Sequence, residues 1–189
     1  MNAQDLQLLI QQAQDGDRNA CHLLYQHFVA RIFNFVLGMV RSREDAEDVT
    51  QDAFIQAFNN LLHLKDPGKF EQWLYRIARN EVYQRFRKKK VQEVTLEPES
   101  LPGGDASVRH SVSNPEEEVL TVELEQVIQH TLAELPPKLR EVFILSVLQE
   151  LSYKDIADIV DRSLLSVKTD IYRARVFAKE MIKRYLSQG

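Results

Sequence analysis

Leu151-Ser-Tyr-Lys-Asp-Ile-Ala-Asp-Ile-Val160, then Asp161-Arg162-Ser163, then a run from Leu164 to about Lys179, reads as two helices joined by a short turn. Ser152 is a capping residue, and Asp155, three positions on, stands where a capping-box partner belongs. Ile156, Ala157 and Val160 give the first helix an apolar side. Val167, Ile171, Ala174 and Ala178 recur at spacings of four, three and four, which buries one stripe of the second helix. Its opposite face then shows Ser166, Thr169, Asp170 and Arg173, with Lys168, Arg175 and Lys179 on the flanks. Short polar residues near a helix start, followed by basic ones, suit insertion into a DNA major groove with phosphates anchored beside it. The same pattern also fits an ordinary helical hairpin with a solvated charged face.

Outward from this hairpin, helical spacing continues. A first helix is expected over roughly 4–14, with Leu6, Leu9, Ile10 and Ala13 on one face. Gly16 stops it, and Asp17 caps a second helix running to about 40, with Ala20, Leu24, Phe28, Ile32, Phe35 and Met39 inward. Ser42 caps a third, with Asp45 as its capping-box partner; it runs to about Leu62 and buries Ala46, Val49, Ala53, Ala57 and Leu61. The stretch from His63 to Lys69 is a loop broken by Pro67-Gly68. A fourth helix from about Phe70 turns Phe70, Trp73, Leu74, Ile77 and Ala78 inward and ends in Arg87-Lys88-Lys89-Lys90. Residues 93–115 carry Pro98, Pro102, Gly103, Gly104 and Pro115 with little periodicity, a linker between two domains. Beyond it, Leu120, Leu124, Val127, Ile128 and Leu132 make one apolar face, Pro136-Pro137 break the chain, and Leu139–Leu148 is helical. The expected fold is all-α: domains over 1–92 and 116–189, joined by a flexible acidic linker.

Composition agrees with that class. Of 189 residues only six are Gly and six Pro, 44% are hydrophobic and 28% charged, as in soluble globular chains. The strongly apolar stretch near Ile32–Val40 is short of the ~20 residues a membrane span needs, so no membrane insertion is expected. No basic start precedes an apolar run, so no secretory signal is expected, and the location implied is cytoplasmic. The lone Cys21 excludes an internal disulfide and reads as a small packed residue.

The net charge of −4 hides segregation by sign. Residues 76–90 hold seven basic side chains and one acidic, residues 162–184 seven and two, while residues 93–118 hold seven acidic and one basic. On the fourth helix Arg76, Asn80, Tyr83, Arg87 and Lys90 form one stripe, with Tyr75 and Trp73 close by. Cations interleaved with aromatics suit single-stranded nucleic acid, where charges follow phosphates and rings stack on unpaired bases. The competing reading is a charged surface helix with its aromatics in the core, and Trp73 fits the core better. The third helix shows Asp45, Asp48 and Asp52 with Glu44 and Glu47 beside them. No histidine shares that face, so a favourable helix start or a protein-docking surface fits better than a metal site. No metal, cofactor or catalytic centre is expected: no Gly-rich phosphate loop is present, and His22, His27, His63, His110 and His130 are scattered.

Three stretches go beyond generic pattern. Asp45-Ala-Glu-Asp-Val-Thr-Gln-Asp-Ala-Phe-Ile-Gln-Ala-Phe58, Trp73-Leu-Tyr-Arg-Ile-Ala-Arg-Asn80, and the hairpin ending Tyr172-Arg-Ala-Arg175 closely resemble extracytoplasmic-function sigma factors, in that family's order and spacing over about 5–185. The resemblance implies a promoter-reading subunit of RNA polymerase, with partners in core polymerase and in promoter DNA, both duplex and melted non-template strand. Asp45, Glu47, Asp48, Gln51 and Asp52 fall where a sigma-2 domain docks on the β′ coiled coil. Lys65, Tyr75, Arg76, Arg79, Asn80, Tyr83 and Arg87 fall where it captures the melted −10 element, with Asn80, Tyr75 and the 63–68 loop near a flipped-out base. Residues 116–189 resemble a sigma-4 domain that reads the −35 element and touches the β flap; Ser166, Lys168, Thr169, Asp170, Arg173 and Arg175 are its DNA candidates. An anti-sigma factor is a further partner that the resemblance brings in. Ser163, Leu165 and Asp170 depart from the pattern, where many relatives have Pro, Gly and a basic residue. Asp170 would repel phosphate but could accept from cytosine N4, so an unusual −35 preference is expected. Two other readings use less of the chain: a duplex-binding repressor or activator, and a charged helical interaction module. The 73–80 segment favours the sigma factor over both.

Overall fold

A computed structural model describes residues 2–95 and 127–187, and among them every regular element is helical. Helix α1, Ala3–Gln14, is capped by Asn2, whose side chain accepts from the Asp5 amide at 2.8 Å. It stops at Gly16, whose φ of 93° lies in the left-handed region that glycine enters without penalty. Asp17 then caps α2, Arg18–Val40, by accepting from the Asn19 and Ala20 amides. Ser42 caps α3, Arg43–Asn59. Two 3₁₀ turns follow, Leu61–His63 and Pro67–Lys69, and lead into α4, Phe70–Thr95. Residues 127–134 form α5. Helix α6, Pro137–Phe143, continues as a π turn over Ile144–Leu148. Helices α7, Tyr153–Val160, and α8, Leu164–Leu186, make the hairpin, capped by Ser152 and Ser163.

Three boundaries differ from expectation. α3 ends before Leu61, which turns into a 3₁₀ step pinned by the Gln14 side chain donating to the Leu61 and Leu64 carbonyls, both at 2.9 Å. α4 outlasts its basic run by five residues, because nothing in Val91–Thr95 breaks a helix. The 139–148 helix widens at Ile144. The linker beyond Thr95 and the positions of Leu120 and Leu124 lie outside the described residues.

By length and composition α2 is apolar enough to cross a bilayer, contrary to the expectation drawn from Ile32–Val40 alone. Its apolar side chains instead form the centre of the molecule: Leu24, Phe28, Ile32, Phe35 and Met39 are at most 1% exposed. They meet Val49, Ala53 and Ala57 of α3 and Phe70, Leu74 and Ala78 of α4. Trp73 packs half-buried against Phe70, as a core residue should. Cys21 is likewise half-buried against this core.

The C-terminal helices continue the same core. Leu132, Leu135, Val142, Ile144 and Leu145 are buried in one cluster with α2 and α4. Burying each such side chain is worth roughly 1.5–3 kcal/mol. Contact is close at Gly38 of α2, where an added Cβ would lie 2.8 Å from Ile144 Cδ1 and 3.6 Å from Leu132 Cδ1. Arg140, buried, donates to the Met39 carbonyl at 3.0 Å, so a cation from the second unit closes the C-terminus of α2.

Candidate nucleic-acid interface

Helix α4 builds the first face. Phe70, Leu74, Ala78 and Val82 recur every four residues and anchor it on α2 and α3. That register turns Arg76, Asn80 and Arg87 to the surface and leaves Arg79 and Tyr83 half-buried. The Arg79 guanidinium lies 4.9 Å from the Tyr83 ring centre, a stacked cation and aromatic pair. Lys65, on the loop before α4, is exposed.

Tyr75 requires a correction. It is fully buried, edge-on to Phe35 at 5.5 Å, and its hydroxyl donates to Gln149 Oε1 at 2.8 Å. One residue past Leu74, it points at the second unit and not at solvent. Burial holds its hydroxyl well above the usual tyrosine range.

Most of this face is occupied by the chain itself. Arg79 pairs with Glu141 of α6, and Tyr83 donates to the other oxygen of the same carboxylate at 3.3 Å. Arg76 donates to the Asp158 carbonyl, and Lys69 pairs with the Asp158 carboxylate at 3.1 Å. Gln72 donates to Asp155 at 3.0 Å. Glu141 is fully buried. Burial pushes its carboxyl above the ordinary value of 4.5, against the opposing pull of Arg79 and Arg162. Glu141, Gln149, Asp155, Asp158 and Arg162 were not singled out as functional from the sequence. Only Glu141 left a signal there: a carboxylate inside the apolar run Leu139–Leu148.

Helix α3 builds the acidic face. Glu47, Asp48, Gln51 and Asp52 are exposed along it. Asp45 is not: it is 6% exposed and lies between Arg85 and Lys89 of α4. Burial raises its pKa, but the pairs with Lys89 and Arg85 outweigh that and hold the carboxyl below the ordinary value. The expected capping box is therefore half made. The Asp45 amide donates to Ser42 Oγ at 3.3 Å, while the Asp45 side chain turns to α4. Asp48 makes a looser contact with Arg85 at 3.3 Å.

Helix α8 builds the third face. Val167, Ile171, Ala174 and Ala178 are buried as the spacing predicted. Lys168, Thr169, Arg173 and Arg175 are exposed, and Ser166 is half-buried with its amide on Ser163 Oγ. Asp170 is a second correction. It is 7% exposed and pairs with Arg162 of the turn. Its position borders the buried stripe, and Arg162 draws it inward. It therefore stands off the face that would meet bases.

Comparison with known proteins identifies two regions of the chain. The family model for sigma-70 region 2 matches residues 24–91, and that for sigma-70 region 4 matches residues 125–177. The chain is 35% identical over 174 residues to the ECF RNA polymerase sigma-E factor of Escherichia coli K12, covering 89% of this chain and 90% of that one. It is 33% identical over 183 residues to the ECF sigma-E factor of Haemophilus influenzae, covering 94% and 95%. It is 32% identical over 173 residues to the RNA polymerase sigma-H factor of Pseudomonas aeruginosa, covering 89% of each. In fold it is similar to CnrH, solved with the cytosolic domain of CnrY, at a TM-score of 0.72 and 23% identity over 97% of this chain and 99% of that one. It is also similar in fold to the sigma factor RpoE of Bartonella quintana, solved with the anti-sigma factor NepR, at a TM-score of 0.67 and 24% identity, covering 86% and 96%.

Proposed function

We infer the roles of these three faces from one premise: the chain belongs to the extracytoplasmic-function sigma factors of the sigma-70 family. It is an alternative sigma factor that binds core RNA polymerase, recognises the −10 and −35 promoter elements and promotes initiation. The residue assignments are our reading. Residues 1–92 serve as the polymerase- and −10-binding domain, 116–189 as the −35-binding domain, and 93–115 as their connector.

The exposed α3 carboxylates Glu47, Asp48 and Asp52, with Gln51, are the docking surface for the β′ coiled coil. Asp45 holds α3 to α4 and supports that surface from behind. Lys65, Arg76, Arg79, Asn80, Tyr83 and Arg87 receive the melted non-template strand. Asn80 is exposed and carries both a donor and an acceptor, as reading a flipped base edge requires. Lys168, Thr169, Arg173 and Arg175, with Ser166 at the helix start, face the −35 duplex, and the same unit meets the β flap. Asp170 acts through Arg162 as an internal brace.

The single observation that carries this reading is the α4 stripe, in which cations, an aromatic ring and an amide share one side of a helix anchored by Phe70, Leu74, Ala78 and Val82. In the free chain that stripe is paired with Glu141 and Asp158. Promoter capture then exchanges those partners for phosphates and bases, and strand opening draws on binding energy without chemistry by this chain. Free protein accordingly binds promoter DNA weakly. An initiation factor works where polymerase works, so its place is the cytoplasm. The cytosolic domain of CnrY and NepR are each in complex with a chain of this fold, and a protein partner of the anti-sigma kind is proposed here too.

Run-off transcription with purified core polymerase tests the reading. A promoter-specific transcript that depends on this chain is expected. Failure to yield one on any fragment bound in cells, together with failure to co-purify with core, would contradict it.

A further inference from the structure

We propose that the outward face of α8 reads thymine methyl groups in the −35 duplex, with Leu165, Thr169 and Tyr172 as apolar specificity contacts. The proposal rests on the reading of α7 and α8 as the −35 reader. The buried stripe Val167, Ile171, Ala174 and Ala178 fixes what lies opposite it. At about 100° per residue, the opposite stripe is Leu165, Thr169, Tyr172 and Val176. Polar side chains were expected there, yet Leu165 is 75% exposed, Tyr172 70% and Val176 46%. Leu165 to Tyr172 spans roughly 10 Å along the axis, the scale of a major groove about 12 Å wide.

Two hydrogen-bonding groups that could have read bases are withdrawn, one within this stripe and one at the edge of the buried stripe. The Thr169 hydroxyl donates back to the Leu165 carbonyl at 2.9 Å, leaving its methyl as the free end. The Asp170 carboxylate, which would have selected cytosine, is buried against Arg162. The remaining central contacts are apolar or aromatic, and the thymine C5 methyl is the apolar group of the major-groove code. Cations lie on both sides of the stripe, Lys168, Arg175 and Lys179 on one flank and Arg173 on the other, where phosphates of two strands border a groove. An apolar ridge between two basic borders is complementary to duplex DNA.

The test uses holoenzyme assembled from the full chain and core polymerase, with a duplex chosen by selection from a library randomised at −35. Each thymine is replaced singly by deoxyuridine, which removes only the methyl. Loss of one methyl contact should weaken binding about fourfold, the transfer value of one such group. We expect that loss at two or more positions, and expect Leu165→Ala or Tyr172→Ala to abolish it at one of them with the salt dependence unchanged. Both side chains are exposed, so the variants should keep the wild-type circular dichroism. Specific duplex binding that is insensitive to every uracil replacement would overturn the proposal. So would Leu165→Ala and Tyr172→Ala weakening core-polymerase binding in place of DNA binding, which would make the ridge a protein contact. Failure to select any −35 sequence would reject the prior reading of α8 as a duplex reader.

Discussion

Two basic helices are the ones we assign to nucleic acid, and the free chain treats them oppositely. The α4 stripe is partly covered: Arg79 and Tyr83 share Glu141, Arg76 lies on the Asp158 carbonyl, and Tyr75 is sealed beneath Gln149, while Asn80 and Arg87 stay exposed. The α8 stripe is bare from Leu165 to Val176. The cover on α4 comes from α6 and α7, the unit that carries α8. One reader therefore stays open while its own scaffold closes the other. Salt bridges serve as local bracing or as exchangeable placeholders, and position separates the two. Asp45 with Arg85 and Lys89 joins neighbouring helices of one unit, whereas Glu141 with Arg79 joins two units across 62 residues of sequence.

The largest way to break the contrast is Arg79→Glu. It leaves Glu141 buried beside a like charge, a change that costs roughly 3–5 kcal/mol when a buried pair is broken. Small-angle scattering should show the two units separating, with the helical content kept; an unchanged scattering curve would mean that apolar packing around Gly38 and Ile144 alone holds them. Next in size is Asn80→Ala. It should lower open-complex formation about tenfold, the scale of one lost hydrogen bond to a buried group, while core binding stays intact. Equal loss of both would count against Asn80 as a base reader.

Arg173→Ala, on the bare helix, should weaken −35 duplex binding a few-fold regardless of sequence and reduce the salt slope by about 1. It should leave the scattering curve alone, because among the described residues Arg173 has no partner across the units to lose. The smallest effect is pH-dependent. The Glu141 carboxyl is raised above 4.5, so its contribution to the folded form is full below that pH and fades as pH climbs through the raised value. Asp45 runs the other way: its value is lowered, so its contribution holds above the ordinary carboxylate range and fades as pH falls through the lowered value. The urea midpoint of Glu141→Gln relative to wild type should therefore rise with pH across the mildly acidic range. A constant offset would show that Glu141 titrates normally.

What the sequence made legible was local. Asp17, Ser42 and Ser152 cap helices because a cap needs only the next few amides. The buried stripe of α8 followed from spacing alone. What stayed hidden depends on partners far along the chain or on which edge of a helix is drawn inward. Asp45 looked exposed because Arg85 and Lys89 lie 40 and 44 residues on. Asp170 looked outward because its neighbour Arg162 is in the turn, where no periodicity applies. Tyr75 looked like a stacking ring because its cover, Gln149, belongs to the other unit. Asp155 and Asp158, acidic partners of α4, were invisible for the same reason, and Glu141 showed only as a carboxylate inside an apolar run.

The account turns on whether the cover over α4 must leave before a promoter is opened. With Cys21 replaced by serine, Lys69→Cys and Asp158→Cys place thiols where an ion pair now joins the units at 3.1 Å, and a short bis-maleimide can bridge them. Run-off transcription with core polymerase is then measured before and after bridging. The unbridged chain should give transcript and the bridged chain none. Equal transcript from both would contradict the account, since the α4 face could then do its work while still covered.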